Sequence, residues 1–307
     1  MTETVLKITS DHEAVLIALA RFHYLTATQV SRLLHPGVND EDRWSQRHLK
    51  KLVDAGYVLR LRALPPKPTG QPPHVFTLAR KGRRVMNSLG IPVEAYFRPS
   101  EESKAALDTP FMQHTLAAID VLISATCLCR DHDVTSPNMM SERQLKRGAL
   151  RVEVPPGPRA NGERAKVVAV IPDGWFQLQV GEGTVISIAL ELDRGTEAQR
   201  AWRDKVAALA LWASGPYMQA FETTNLTIIV VCPDAKRRDN LAHWTHAELA
   251  DRQMGNLADI FLFTSVNPVE VTPAALFFGR CWRSAESTDR LSVLDPPVES
   301  EVTTIQV

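Results

Sequence analysis

Cysteine is scarce in this sequence, with Cys127, Cys129, Cys232 and Cys281 the only four in 307 residues, and no C-x-x-C pair occurs among them. A lone C-x-C has the wrong spacing for a structural zinc knuckle, so these are expected to be reduced, mostly buried thiols. Long apolar runs are also lacking. No stretch reads as the roughly 18 apolar residues that cross a bilayer. The opening MTETVLKITSDHEAV carries neither a charged n-region nor an apolar h-region. The expectation is a cytoplasmic protein with no membrane partner. A Walker loop, a dinucleotide fingerprint and a nucleophile elbow are all missing, which argues against nucleotide-driven and serine-hydrolase chemistry. Internal repeats are absent too.

Net charge is missing as well, because 35 basic residues balance 35 acidic ones. That balance hides an asymmetry. Residues 1–100 hold 15 Lys+Arg against 8 Asp+Glu, or +7, and the remaining 207 residues hold 20 against 27, or −7. A basic module followed by an acidic one is expected if the first meets phosphates and the second gathers something else, such as a divalent cation. The length suits two domains, each able to bury a core. With 44% hydrophobic and 23% charged residues, the composition is that of an ordinary folded protein.

Apolar residues at three- and four-residue spacing predict three helices near the start. The first, over 11–24, buries Val15, Leu16, Leu19 and Phe22. The second, over 26–35, opens on hydroxyl caps and stops at Pro36-Gly37. The third, over 40–55, buries Trp44, Leu49, Leu52 and Val53 and ends at Gly56. Two alternating stretches, 57–62 and 74–78, flank a Pro-rich turn and read as a β-wing, after which 79–86 opens a basic fourth helix. The pattern is that of a winged helix-turn-helix over residues 1–100. With its apolar side turned inward, the third helix presents Arg43, Gln46, Arg47, Lys50 and Lys51 outward. Arg47 and Gln46 have the chemistry of bidentate base contacts, and Lys50 and Lys51 that of phosphate contacts. The wing adds Arg60, Arg62 and Lys67, and the fourth helix adds Arg80, Lys81, Arg83 and Arg84. Residues 40–84 carry 11 basic against 4 acidic side chains. Double-stranded DNA is the partner this pattern suggests. The competing reading is a solvated basic face, or a winged helix that binds only protein.

A polar linker is expected near residues 98–104, then a mixed α/β domain over 105–288 and a frayed tail over 289–307. Phe111 to Cys127 is a strongly apolar helical run. Strands are expected over 165–171, 175–180, 185–192, 226–232 and 259–265, with helices over 196–213 and 236–252. Asp173 falls at the turn after one strand, while Glu191 and Asp193 lie two apart and project from the same face of another. Three converging carboxylates could form an Mg²⁺ site, and a metal so held could activate water for phosphodiester cleavage. No cofactor is required by anything else in the sequence.

The phrases Ile171-Pro-Asp-Gly174 and Glu191-Leu-Asp-Arg-Gly-Thr196, with Lys205 downstream and Gln113-His-Thr-Leu-Ala117 upstream, resemble the replication-relaxation family over roughly residues 10–265. The resemblance implies a winged helix joined to an α/β domain similar to the PD-(D/E)xK nuclease core. It also implies a role on plasmids or other mobile elements in replication, DNA relaxation or mobilisation, with relaxase or replication proteins as partners. On that resemblance Asp173 is the Asp of the Pro-Asp pair and Glu191 the acid of the (D/E)-x-K element. Asp193 stands where that element has lysine, so charge stabilisation would fall to Lys205 or Arg194. An acid at that position can bind metal but cannot neutralise developing negative charge. The expected protein is therefore a DNA-binding one whose nuclease-like domain is inactive. Two alternatives remain open: a metal-dependent nicking endonuclease using Asp173, Glu191, Asp193 and Lys205, and a dimeric transcriptional regulator with Trp202 and Leu209 in a homodimer interface. Glu191, Asp193 and Arg194 could instead form a structural cluster capping the helix at Thr196. His114 reads as a core histidine, and His243 and His246 as surface residues.

Overall fold

The computed structural model describes residues 6–36, 41–62, 73–91, 93, 109–157 and 164–296, with the backbone alone of Glu41, Asp42, Arg62, Thr109 and Pro110. Lys67, the proposed linker over 98–104 and residues 297–307 lie outside that set. The chain is a mixed α/β protein that divides into two compact units, Met1–Ile123 and Ser124–Val307.

The first unit holds α1 (Ser10–Phe22), β1 (Leu25–Thr26), α2 (Ala27–Leu34), α3 (Glu41–Asp54), β2 (Val58–Arg62), β3 (His74–Leu78), α4 (Arg80–Ser88) and the start of α5 (Thr109–Asp131). Helices α1 and α2 begin where the hydroxyl groups of Thr9 and Thr26 cap them. Thr26 accepts the Gln29 N–H at 3.1 Å while the Gln29 side chain accepts the Thr26 N–H at 3.0 Å, a reciprocal capping box. β2 and β3 form an antiparallel hairpin in register from Val58 opposite Leu78 to Arg62 opposite His74, and β1 pairs with the other edge of β3. Leu16, Leu19, Leu25, Val30, Leu49, Leu52 and Val75 are fully buried between these elements. Inside that core the Ser31 hydroxyl hydrogen-bonds the Ser45 hydroxyl at 2.9 Å, so the two facing polar groups of α2 and α3 satisfy each other. Gly82 lets α4 close onto the start of the hairpin, because a Cβ there would lie 2.3 Å from the Tyr57 carbonyl oxygen.

Helix α5 contains the one stretch among the described residues, Phe111–Asp131, that is long and apolar enough to span a membrane, an exception to what the sequence suggested. More than half of it, 56%, is buried inside the protein. Its N-terminal part is tied to α2 by polar groups: Gln29 Nε2 donates to the Leu116 carbonyl at 2.8 Å, and Arg32 pairs with Asp120 at 2.5 Å. Burial pushes the Asp120 carboxyl up from its ordinary value, with Arg32 and Gln29 pulling it back.

The second unit continues through β4 (Val134–Thr135), β5 (Met139–Ser141), α6 (Glu142–Arg147), β6 (Leu150–Val154), β7 (Lys166–Val170), β8 (Gly174–Val180), β9 (Ile186–Leu192), α7 (Gln199–Ala213), α8 (Pro216–Phe221), β10 (Thr227–Val231), α9 (Ala235–Asp251), a 3₁₀ turn (Gly255–Ile260), β11 (Phe261–Thr264), α10 (Pro273–Phe277) and β12 (Arg283–Ser284). One sheet runs in the order β12-β11-β10-β9-β8-β4, with β5 also on β8, and β6 pairs with β7 separately. β9, β10 and β11 are mutually parallel, joined by α7–α8 and α9, whereas β8 runs antiparallel to β9. Side chains alternate across β9, so Ala189 and Glu191 face the layer that holds Trp202, Val206, Leu209 and Leu241. The opposite face carries Phe176, whose ring meets Phe277 of α10 edge-on.

The structure departs from sequence expectation at particular places. Trp202 and Leu209, considered for a homodimer interface, are 0% and 1% exposed inside the subunit core, with the Trp202 indole N–H donating to Thr245 at 2.9 Å. A side chain already enclosed cannot also form an intersubunit face. The start of the segment expected to fray is packed: Leu291 exchanges backbone hydrogen bonds with Trp282, and Val293 and Leu294 are buried with their N–H groups on the Phe277 carbonyl. The helix expected from Thr196 starts at Gln199. The short strands β4 to β6 were not anticipated.

His12 of α1 and His48 of α3 meet at a tilt with ring centroids 5.0 Å apart, and His48 also lies against Trp44 at 4.4 Å. His12 Nε2 and His48 Nδ1 are buried with no hydrogen-bond partner among the described residues. Burial lowers both pKa values; Lys51 adds to the effect on His12 and His12 to that on His48, with Asp11 opposing in each case. The unfolded chain therefore binds protons more readily, so this contribution to stability is complete above the ordinary imidazole value of about 6.5 and lost as pH falls below it. Thermal melts at pH 7.5 and pH 5 should show a loss of stability on acidification that is smaller in His12→Gln and His48→Gln. An equal loss in the variants would assign the effect to other groups.

Candidate functional site

Two places gather charged side chains that chemistry or recognition could use. In the first unit, Arg43, Gln46, Arg47, Lys50 and Lys51 are all exposed on α3, opposite the buried Ser45, His48, Leu49 and Leu52. Arg60 is exposed on β2, and Arg80 and Arg84 on α4. Lys81 is turned inward, with its ammonium on the Ala55 carbonyl at 3.2 Å and 4.4 Å from the Tyr57 ring centre. Arg83 is half-buried. The side chain of Arg62 and the whole of Lys67 fall outside the described residues.

In the second unit, Asp173 precedes β8 and continues its ladder against β9, with its N–H on the Leu190 carbonyl at 2.8 Å and its carboxylate accepting the Leu192 N–H at 2.7 Å. That places it beside Glu191, which is 3% exposed. Lys205 reaches over from α7 to lie 3.2 Å from Glu191 and 2.7 Å from Glu197. Burial pushes the Glu191 carboxyl up to about 8, with Lys205 opposing and Asp173 reinforcing the shift. Lys205 is itself raised: burial works against its charge, but Glu191 and Glu197 outweigh it.

Asp193 has a different partner. Its side chain is fully enclosed and takes a bidentate pair from Arg237 of α9, at 2.7 and 2.8 Å, while also accepting the Gly195 N–H at 2.9 Å. Gly195 adopts φ +77°, a conformation a side chain would strain, and this turn delivers the chain to α7. Arg237 also donates to the Glu197 carbonyl at 2.8 Å. Asp193 thus closes a structural knot between β9 and α9, and it caps no helix at Thr196. Arg237 and Glu197 escaped sequence reasoning. A signal existed in Lys236-Arg237-Arg238, because three cations in the first turn of a helix oppose its dipole and imply a negative group across from them.

A model of the replication-relaxation family matches residues 16–227. The chain belongs to the replication-relaxation family. The match covers both the exposed α3 residues and the Asp173–Glu191–Lys205 group. No curated protein and no solved structure matches the chain. Family membership supports a role related to replication or relaxation of plasmids or other mobile elements.

The fit of a divalent metal is poor. Among the described residues no group of three His, Cys, Asp or Glu is arranged to hold one. Both Asp193 oxygens are engaged by Arg237, Asp173 is committed to the backbone of β9, and the cation beside Glu191 is the Lys205 ammonium. His243 and His246 are exposed on α9, and the four cysteines are free thiols. The Arg237–Asp193 pair should be structural in a measurable way. Arg237→Ala leaves a buried carboxylate without its cation and should cost about 3–5 kcal/mol in urea unfolding, with Asp193→Asn in the same background recovering part of the loss. A single-variant change below about 1 kcal/mol, the size of an exposed pair, would show that the pair does not hold the fold.

Proposed function

We propose that this protein binds double-stranded DNA through the exposed edge of α3 and serves replication, relaxation or mobilisation of plasmids or other mobile elements without cutting the duplex itself. The three helices with the β1-β3-β2 sheet are read as a winged helix-turn-helix. The observation that carries the reading is the separation of α3 into two faces: its buried side is filled by Leu49, Leu52 and the Ser31–Ser45 contact, and its other side presents Arg43, Gln46, Arg47, Lys50 and Lys51 to solvent. Basic and polar side chains exposed on that outer side are accessible to phosphates and base edges. Arg43 and Arg47, one turn apart, suit guanine edges, with Lys51 alongside for the backbone.

A nicking endonuclease is the second reading. Lys205 beside Glu191 favours it, because an ammonium from the following helix occupies the role of the lysine missing at Asp193. The binding reading is preferred because the same ammonium fills the place of a metal beside Glu191, and because both Asp193 oxygens are already engaged by Arg237. Any self-association would have to use residues other than Trp202 and Leu209.

Replacing Arg43, Arg47 and Lys51 together with Ala should weaken duplex binding more than tenfold at low salt and lower the slope of log K against log salt by about 2 to 3. Wild-type binding by that variant at every salt concentration would remove α3 from the interface. Supercoiled plasmid incubated with Mg²⁺ or Mn²⁺ should stay supercoiled; nicking that Asp173→Ala abolishes would establish the enzyme instead.

A further inference from the structure

A groove of about 640 Å³ opens between the first turn of α2, one stripe of α3 and the β2–β3 hairpin. Gln46, Lys50, Val53 and Asp54 form the α3 wall, spaced at three and four residues along one side of the helix. Arg60, His74 and Phe76 supply the hairpin wall, and Thr28 lies at the start of α2. The side chains at its rim, Thr28, Gln46, Lys50, Asp54, Arg60 and His74, are exposed, whereas Val53 is half-buried and Phe76 only 6% exposed at its base. Two cations and several hydrogen-bonding groups thus surround an apolar floor.

We infer that this groove seats one sugar-phosphate segment of the bound duplex, and that Asp54 is a built-in limit on its affinity. The inference rests on the DNA-binding reading above and adds to it a place and a restraint. Charge and shape both choose the occupant. Lys50 and Arg60 face the groove from opposite walls, which suits a phosphate lying between them. Val53 and Phe76 offer a surface to the apolar side of a deoxyribose. An open trough with solvent-exposed walls fits a continuous backbone better than it fits a small molecule, which needs enclosure.

Asp54 runs against this pattern. It lies one turn after Lys50 and pairs with its ammonium at 2.5 Å, on side chains that are 60% and 75% exposed. In a position facing a polyanion, a carboxylate repels the phosphate and holds the cation that would receive it. An exposed pair of this kind is worth too little to the fold to explain its place there, whereas the same charge acting on a bound phosphate changes affinity directly. The groove also moves Gln46 from base reading to a backbone-facing wall, which leaves Arg43 and Arg47 as the base readers.

The test is titration of the full chain with a 30-base-pair duplex of arbitrary sequence over a range of salt. Lys50→Ala and Arg60→Ala should each weaken binding several-fold and lower the salt slope by about 1. Asp54→Asn should tighten binding by about two- to fivefold at low salt, with the gain shrinking as salt screens it. In the Lys50→Ala background the gain from Asp54→Asn should be smaller, because part of the restraint acts through that lysine. These side chains are exposed, and unchanged circular dichroism of each variant confirms the comparison. If the Arg43/Arg47/Lys51 variant loses binding while Lys50→Ala, Arg60→Ala and Asp54→Asn all match wild type, the groove inference fails and the DNA-binding reading stands. If none of the variants alters binding, both fail.

Discussion

Burying two carboxylates at the end of a central strand is the constraint around which the second unit is organised. Glu191 and Asp193 leave β9 on the same face, and that face is covered by α7 and α9, so each acid needs a cation brought to it. Lys205 answers Glu191 from α7, and Arg237 answers Asp193 from α9. The strand is thereby tied to both crossover helices by charge as well as by the packing of Trp202, Val206 and Leu241. This explains how a chain with two buried acids at the end of one strand can fold stably. It also withdraws Asp193 from chemistry, since a carboxylate with both oxygens on a guanidinium has little left to offer a metal or a substrate.

The first unit follows the same rule with the opposite outcome. Several of its buried polar groups find partners within the unit, Ser31 in Ser45, Gln29 in Thr26 and the Leu116 carbonyl, and Asp120 in Arg32, whereas His12 Nε2 and His48 Nδ1 have none among the described residues. The inner face of α3 is closed by the Ser31–Ser45 contact and by leucine packing, which leaves its basic side chains on the solvent side. Charge on that side is accessible to recognition. The two units together show why a net charge of zero says little about function: in the second unit the basic groups Lys205, Arg203, Arg237 and Arg252 are consumed by internal acids, whereas on α3 they are directed to solvent.

What could be read from the sequence was what repeats or what is local. Period-3.6 patterning located α1 to α3, Gly56 marked the end of α3, and the continuous apolar runs located β8 to β11, because each signal depends only on neighbouring residues. The pairing of Lys205 with Glu191 was approachable from family phrases. The partner of Asp193 was not, because Arg237 is 44 residues away and meets it only once β9 and β10 lie side by side in parallel. Short strands such as β4 and β5 escaped for a related reason: two or three residues cannot show alternation, and they are strands only because β8 offers them an edge. Trp202 and Leu209 were misplaced because an apolar helix stripe looks the same whether it covers a sheet or another subunit.

A basic helix alone would bind any duplex, since the energy of phosphate contact carries no sequence information. A protein that must find particular DNA among an excess of other sites gains from holding that general term down while keeping base contacts intact. The arrangement on α3 has this character. Lys50, beside the groove, is partnered by Asp54 one turn on. On the DNA-binding reading proposed above, a carboxylate beside the lysine that faces the groove lowers affinity where it is indiscriminate. On that reading the net formal charge of the helix is a poor guide to how strongly it holds a duplex, because the place of one carboxylate beside the groove weighs on phosphate contact more than the total does.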